Sequence, residues 1–316
     1  MHPAKSVILF TTASGAGYGL LAWLGLLAAF GGLPAERWFG LTAFVLGLGL
    51  VVTGLLSSTF HLGHPERAWR ALTQWRSSWL SREGVAAVTT FLPVGLFAFY
   101  WVIAGTNSGT AAAVGLLASL CCLVTVICTA MIYASLRTIR AWASAWTLPG
   151  YLVLSALSGA VLLNLLLQVW ALPLRDGFPW LVVLLFGLSA LVKLAYWSDV
   201  ARAAPAGTAE SATGLGPQGR VRLLEAPHSE SNYLMQEMGF RIARKHAAKL
   251  RRLTLLLGFL APLLLTGLGQ ALPGVGSLLA AVVSVPLLAA GLAVERWLFF
   301  AEAKHVVTLY YGESRA

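Results

Sequence analysis

Charged residues are scarce in this 316-residue chain, since Asp, Glu, Lys and Arg together make up 11% of it. Soluble domains usually carry about 25%, so an ordinary water-soluble globule is excluded. A disordered chain is excluded as well, because 58% of the residues are hydrophobic and disordered segments lack the apolar side chains needed for a core. The mean hydropathy of +0.77 indicates a chain with several membrane-crossing segments.

Cysteine is also rare. Cys121, Cys122 and Cys128 fall within one apolar run and form no CxxC or zinc-ligand spacing. An iron–sulfur cluster needs about four thiolates, so we expect no cluster on this chain and interpret the cysteines as small apolar side chains. The six histidines lie at or beyond the ends of the apolar runs, so we expect no haem and no other metal site.

Long apolar runs dominate what the sequence does contain. A membrane-crossing helix needs about 20 mainly apolar residues, and eight windows meet this requirement. They are Val7–Phe30, Phe39–Phe60, Val85–Ala104, Ala111–Tyr133, Tyr151–Ala171, Trp180–Trp197, Leu253–Leu272 and Val275–Val294. These runs are too continuous for the strands of an outer-membrane barrel, which alternate over about 10 residues. We therefore predict an all-α, polytopic membrane protein, a bundle of eight transmembrane helices. It forms a single membrane domain over residues 1–316, with a long cytoplasmic connector at 198–252.

Positive charge is distributed unevenly between the two sides of this predicted bundle. Outside the windows, only Arg37 and Arg175 fall on one side, whereas the other Lys and Arg residues, Arg296 among them, share a side with both termini. Lys193 is the one formal charge inside the windows. Because cytoplasmic loops are enriched in Lys and Arg, we predict a bacterial cytoplasmic membrane protein with both termini cytoplasmic. The net charge of +10 then reflects topology and contact with membrane lipids, and it does not indicate nucleic-acid binding.

The second connector carries the most informative chemistry. It holds His61, His64, Arg67 and Arg70, and Glu83 follows at the start of the third run. A quinone headgroup requires this mixture, because its two carbonyl oxygens accept hydrogen bonds and, on reduction, protons. An imidazole titrates near neutral pH, a guanidinium is a fixed positive donor, and a carboxylate can relay protons to water. The alternative is structural, since interfacial arginines commonly bind lipid phosphate and an acid near a helix start stabilises the helix.

The chain resembles the membrane-anchor subunits of the dimethyl sulfoxide reductase family of complex iron–sulfur molybdoenzymes. The resemblance rests on the eight-run plan and on the pattern His61-Leu62-Gly63, Pro65, Arg67-Ala68, and Ser81 with Glu83. Residues 1–4, 220–228 and 232–240 make it most similar to the branch of that family that serves cytoplasmic, quinone-reducing sulfite dehydrogenases.

This resemblance implies a heterotrimer. A molybdopterin subunit would oxidise the substrate, an iron–sulfur subunit with several clusters would carry the electrons, and this chain would anchor both and bind ubiquinone or menaquinone. Matching positions assign quinone binding to His61, Arg67 and Glu83, and we add His64 and Arg70 from proximity. No catalytic residue for the substrate is expected on this chain. An anchor of a dimethyl sulfoxide reductase-like complex that oxidises quinol is the alternative.

Basic residues also cluster near the end of the long connector, in a helical pattern that starts at Asn232 and includes Arg241, Arg244 and Lys245. We expect this helix to dock the iron–sulfur subunit, and the alternative is a basic helix lying on anionic lipid. A secondary transporter is a further alternative. The shortage of ionisable residues inside the runs disfavours it, because coupled carriers usually place such groups near the midplane.

Overall fold

The computed structural model describes residues 5–59, 62, 64–173, 177–225, 227, 246–272 and 274–316. Within these ranges, eight helices are long and apolar enough to cross a membrane, which confirms the predicted all-α bundle. They are α1 Lys5–Ala29, α2 Arg37–Thr59, α3 Trp79–Ile103, α4 Thr110–Ala134, α5 Thr147–Val169, α6 Phe178–Arg202, α7 Ala247–Gly269 and α8 Val275–Ala301. The same ranges contain no β-strand, only an isolated bridge between Thr208 and Arg315.

Helices suit this composition because each one satisfies its own backbone hydrogen bonds, as lipid requires. The ends are marked by local signals. Gly31 follows α1 with a φ of +66°, and Gly274 precedes α8 with a φ of +43°; glycine adopts such positive values without steric cost. At α3, the Ser78 side chain accepts a hydrogen bond from the Ser81 backbone N–H at 3.4 Å, so Ser78 is the cap.

The centre of the bundle is formed by α1 and α5, whose most apolar windows are 61% and 67% buried. α1 packs against α2, α4 and α5, and α5 packs against α6 and α8. The two central helices meet at Gly19 and Gly159, where a Cβ on Gly19 would lie 1.9 Å from the Ser155 carbonyl oxygen. Gly258 and Gly291 bring α7 and α8 equally close. Small residues at such crossings let backbones touch, which favours helix association in lipid.

One end of the bundle, which we call the terminal end, carries the start of α1 and the ends of the helices that lead to and from the long connector. It contains Lys5, Thr59, Trp79, Ala134, Thr147, Arg202, Ala247 and Ala301. A 3-10 helix, Pro65–Gln74, crosses this end between α2 and α3. Leu72 of this segment packs on Gly84, where an added Cβ would lie 2.8 Å from Leu72 Cδ2. The 3-10 helix therefore lies against the first turns of α3.

α8 extends beyond its predicted run. The sequence window ends at Val294 and counts Arg296 among the charges in the cytoplasmic connectors, and this placement is wrong, because Arg296 lies inside α8 and is 4% exposed. Glu295 beside it is fully buried, and Lys193 on α6 is 5% exposed. A charge at the end of an apolar run can reach back to water or find a partner within the protein. Arg296 stays inside the bundle because it pairs with the carboxylate of Glu295.

Candidate functional site

Glu83, in the first two turns of α3, is the buried member of the predicted quinone site. It is 6% exposed, and its Oε1 has no hydrogen-bond partner among the described residues. Thr129 and Cys128 on α4 and Tyr18 on α1 lie close to it. A buried polar atom without a partner costs about 1–3 kcal/mol, and such atoms in native structures often mark functional sites.

An apolar groove of about 430 Å³ runs along the outer side of α3 and α4. Ala86 and Thr90 line it from α3; they follow Glu83 by three and seven residues and so share its side of the helix. Cys128 lines the groove from α4. The complete lining is Trp75, Arg82, Val85, Ala86, Thr89, Thr90, Leu120, Cys121, Val124 and Cys128. Glu83 itself does not line the groove, but Cys128, which does, lies close to it.

Arg82 forms the mouth of this groove at the terminal end. Its Nε donates to the Trp75 carbonyl oxygen at 2.9 Å, and its Nη2 donates to the Arg76 carbonyl oxygen at 2.7 Å. Its guanidinium carbon lies 4.3 Å from the centroid of the Trp79 ring. These contacts hold the end of the 3-10 segment against α3 and fix a positive charge at the residue next to Glu83.

The other predicted site residues at this end are exposed and make local contacts. His64 Nδ1 lies 3.0 Å from Glu66 Oε1, and Arg67 Nε lies 3.6 Å from the same oxygen. The side chains of His64 and Arg67 are 67% and 55% exposed. Arg70 is also exposed, and its guanidinium carbon lies 5.6 Å from the centroid of the Trp69 ring. These three residues form an exposed basic and imidazole surface at the start of the 3-10 helix and along it.

The sequence prediction misses Arg82. It assigns the guanidinium role to Arg67 from the motif and to Arg70 from proximity, although the position directly before Glu83 at a helix start was an available signal. Four further predicted residues lie outside the described part of the chain: His61, Arg241, Arg244 and Lys245.

A second buried polar cluster, which we call the ion triad, lies between α6 and α8. Lys193 and Glu295 form an ion pair, and Arg296 Nε lies 3.1 Å from Glu295 Oε2. The guanidinium carbon of Arg296 lies 3.9 Å from the Tyr151 ring centroid, and Lys193 Nζ lies 4.0 Å from that of Tyr196. Such cation–π contacts are strongest where water is excluded. In the sequence, Lys193 was the signal for this cluster, because a charge inside a membrane needs a partner.

A further ion pair connects the ion triad to the terminal end. Arg251 Nη2 lies 2.8 Å from Glu302 Oε1, and its Nε lies 3.0 Å from the same oxygen. Burial raises the pKa of Glu302, and the neighbouring Arg251 partly offsets that effect. Lys193 and Glu295 are close enough to Glu302 to interact with its charge. The bundle therefore buries more ionisable groups than the apolar runs indicated. The shortage of such groups was the argument against a transporter, and that argument is weakened.

The described residues include no group of three or more His, Cys, Asp or Glu side chains that could hold a metal ion. Cys121, Cys122 and Cys128 form no disulfide, and the last two are buried in α4.

Comparison with known proteins identifies the family. The profile described as DMSO reductase anchor subunit (DmsC) matches residues 1–312. A sulfite dehydrogenase subunit of Allochromatium vinosum is 34% identical over an alignment of 328 positions that covers 98% of this chain and 99% of that protein. A polypeptide of the anaerobic dimethyl sulfoxide reductase of Escherichia coli is 28% identical over 183 positions, 54% of this chain and 61% of that one. No solved structure matches. With its eight membrane-crossing helices, the chain belongs to the DMSO reductase anchor subunit family.

Proposed function

We propose that this chain anchors a molybdenum and iron–sulfur oxidoreductase in the bacterial cytoplasmic membrane and binds quinone at its terminal end, which faces the cytoplasm. Its partners are a molybdopterin catalytic subunit and an iron–sulfur subunit with several clusters. The similarity to a sulfite dehydrogenase subunit over nearly the whole of both polypeptides supports sulfite as the substrate of the catalytic partner. Electrons from sulfite then pass to the quinone pool.

The buried carboxyl of Glu83 beside the apolar groove carries this proposal. A quinone needs an apolar channel for its ring and isoprenoid tail, and a proton-exchanging group near its oxygens. The groove along α3 and α4 offers the first, and the unpartnered Oε1 of Glu83 offers the second. The positive charge of Arg82 at the groove mouth suits an oxygen that gains electron density. The residues present therefore fit a quinone.

A bound quinone supplies two-electron, two-proton redox chemistry, and the chain supplies position and protons. Glu83 holds or releases a proton at Oε1, and burial keeps bulk water from competing for that position. Arg82 is already tied to two backbone carbonyl oxygens, so its charge stays at the mouth without needing to be reordered. Trp75 closes the same end of the groove.

The surface beside this site supports contact with the iron–sulfur partner. Trp69 and Trp75, on the 3-10 segment and directly after it, are 63% and 52% exposed, and exposed aromatic side chains with nearby arginines are typical of protein interfaces. A cluster that donates electrons has to lie near the quinone, so the partner belongs at the same end of the bundle. Arg241, Arg244 and Lys245, outside the described residues, complete the proposed dock.

Glu83→Gln in the intact complex tests the proposal, because Gln keeps the size of the side chain and removes its exchangeable carboxyl proton. We expect quinone-linked turnover to fall about 10²-fold or more, as for loss of a general acid or base. Subunit assembly and substrate oxidation with a water-soluble electron acceptor should stay unchanged. Glu313→Gln, at an exposed acid near the end of the sequence, is the matched control. Unaltered quinone-linked turnover in Glu83→Gln would exclude the proposed role, and His61→Ala tests the predicted imidazole in the same assay.

A quinol-oxidising anchor for a dimethyl sulfoxide reductase-like partner is the second candidate, favoured by the similarity to the Escherichia coli reductase polypeptide over about half of each sequence. It uses the same groove and the same acid with electrons flowing in the opposite direction. Two assays on the purified complex distinguish the candidates. One supplies sulfite with quinone, the other supplies dimethyl sulfoxide with quinol, and the quinone absorbance is followed in both.

A further inference from the structure

A second opening into the bundle lies between α1, α2, α5 and α8, on helices other than those that form the α3–α4 groove. This lateral pocket has a volume of about 260 Å³. Its lining is Leu9, Thr12, Ala13, Ala16, Leu50, Ser158, Val161, Leu162, Val285, Leu288, Ala289 and Leu292. Leu9 is 46% exposed and Ala289 is exposed, so the pocket opens on the outer surface of the bundle.

The inner end of the lateral pocket is polar. A cavity of about 20 Å³ continues it inward, and the two share four lining residues: Thr12, Ala16, Ser158 and Leu292. Tyr18, Tyr151 and Arg296 line the inner cavity further inside the bundle. About 10–15 Å³ suffices for one water molecule, so this end has room for a single oxygen atom of a ligand and no room for a phosphate group.

Two hydroxyls that line the inner cavity lack a hydrogen-bond partner within the described part of the chain, and a guanidinium lies beside them. The hydroxyls of Tyr18 and Tyr151 are buried and have no hydrogen-bond partner among the described residues. Arg296 shares the carboxylate of Glu295 with Lys193, so the ion triad has one more positive charge than negative. Phenol and guanidinium groups donate hydrogen bonds. An acceptor oxygen at this position would satisfy both tyrosine hydroxyls and would lie beside the positive charge of Arg296.

α1 departs from α-helical geometry at this place. Its segment Phe10–Ser14 is π-helical, and it contributes Thr12 to both cavities. The Thr12 hydroxyl donates to the Ile8 carbonyl oxygen at 2.8 Å, so it is already satisfied within its own helix. π-helical segments inside α-helices are frequent at functional sites. Similar segments occur in α3 at Phe99–Ile103 and in α7 at Thr254–Leu260, so the site is argued from the cavity and its hydroxyls, and the π-helical turn places Thr12 between the two cavities.

We propose that the lateral pocket is a second quinone site, with the ring between α1, α5 and α8 and one carbonyl oxygen directed at Tyr18, Tyr151 and Arg296. The ligand class rests on the proposed function. The site itself rests on the shape of the pocket, which accepts an apolar body with one small acceptor at its tip, as a quinone offers and a phospholipid does not. Thr129 lines the inner cavity and lies close to Glu83, so the two sites approach each other across α4.

The test uses a photoreactive azido-quinone on the intact complex in membranes, with labelled peptides mapped by mass spectrometry. We expect labelling on α3 and α4 and, separately, on α1 and α8. Ala289→Trp fills the lateral pocket from its outer rim and should abolish labelling on α1 and α8 alone. Ala290→Trp, the adjacent exposed alanine that does not line the pocket, is the matched control and should leave both regions labelled. Tyr18→Phe should weaken the labelling on α1 and α8 without altering the pocket volume.

The outcomes separate this inference from the proposed function. Labelling confined to α3 and α4 overturns the second site and supports the first, whereas labelling confined to α1 and α8 supports the second site and overturns the groove as the first. Equal labelling on α1 and α8 in the Ala289→Trp and Ala290→Trp variants overturns the lateral pocket. Competition by excess palmitate as effective as that by unlabelled quinone overturns quinone as its ligand, because the acceptor would then be a fatty-acid oxygen.

Discussion

Replacing Glu295 by Gln leaves two cations, Lys193 and Arg296, close together in the bundle without the carboxylate that both contact in the wild type. All three residues are at most 5% exposed, so water cannot screen the remaining charges. Removing one partner of a buried ion pair costs about 3–5 kcal/mol. We expect Glu295→Gln to lose at least about 3 kcal/mol of unfolding free energy, because the loss affects two contacts at once.

Lys193→Met is the informative comparison. Met fills the volume of the Lys side chain, and Glu295 keeps Arg296 as its partner at 3.1 Å, so the cluster becomes a neutral pair. Replacing a buried ion by an apolar residue of similar volume is often close to neutral, and we expect a loss below about 1.5 kcal/mol. At about 2–4 °C per kcal/mol, Tm should fall by about 6–12 °C for Glu295→Gln and by no more than about half as much for Lys193→Met.

Thermal unfolding of the two variants in the same detergent, followed by tryptophan fluorescence, gives the comparison. Scan rates must be matched, because unfolding of membrane proteins is commonly irreversible and Tm then depends on the rate. A loss for Glu295→Gln equal to or smaller than that for Lys193→Met would refute the inference that one carboxylate serves two cations.

Two further predictions concern packing and pH. Gly19→Ala should destabilise the protein by about 1–3 kcal/mol, because its Cβ would lie 1.9 Å from the Ser155 carbonyl oxygen; Gly187→Ala, whose Cβ meets nothing within 4 Å, should be neutral or slightly stabilising, and equal Tm values would contradict the close crossing. Glu302→Gln should remove a pH dependence of stability. Burial raises the pKa of Glu302, so the folded protein binds this proton more tightly than the unfolded chain does, and the resulting stability is lost as pH rises through the folded pKa. The variant should therefore gain stability relative to the wild type as pH rises above the ordinary carboxyl pKa, and parallel profiles of Tm against pH would argue against this.

The number and position of the helices could be predicted from the sequence because lipid leaves the backbone few choices. A run of apolar residues of sufficient length must become a helix, and the predicted window Ala111–Tyr133 differs from α4, Thr110–Ala134, by one residue at each end. The end of α8 could not be predicted in the same way. Arg296 follows an apolar run, and the run alone does not say whether such a charge returns to water or stays inside.

The candidate site was predictable only in part. Glu83 was identified by its chemistry and its motif, but its burial and the groove beside it depend on the packing of α4 against α3. The pairing of Lys193 with Glu295 depends on α6 and α8 being neighbours, although these residues are far apart in the sequence. No local pattern encodes that proximity, so only the requirement that a charge in the membrane be compensated pointed to it.

The glycine crossings restrict how the bundle can accommodate a bulky lipid-soluble molecule. Where Gly258 and Gly291 press backbone against backbone, no side chain can rotate to let one helix slide along the other, and Gly19 and Gly159 form a similar joint. A lipid-soluble molecule therefore cannot pass between α7 and α8 where Gly258 and Gly291 touch, and the open side of α8 is the one that lines the lateral pocket.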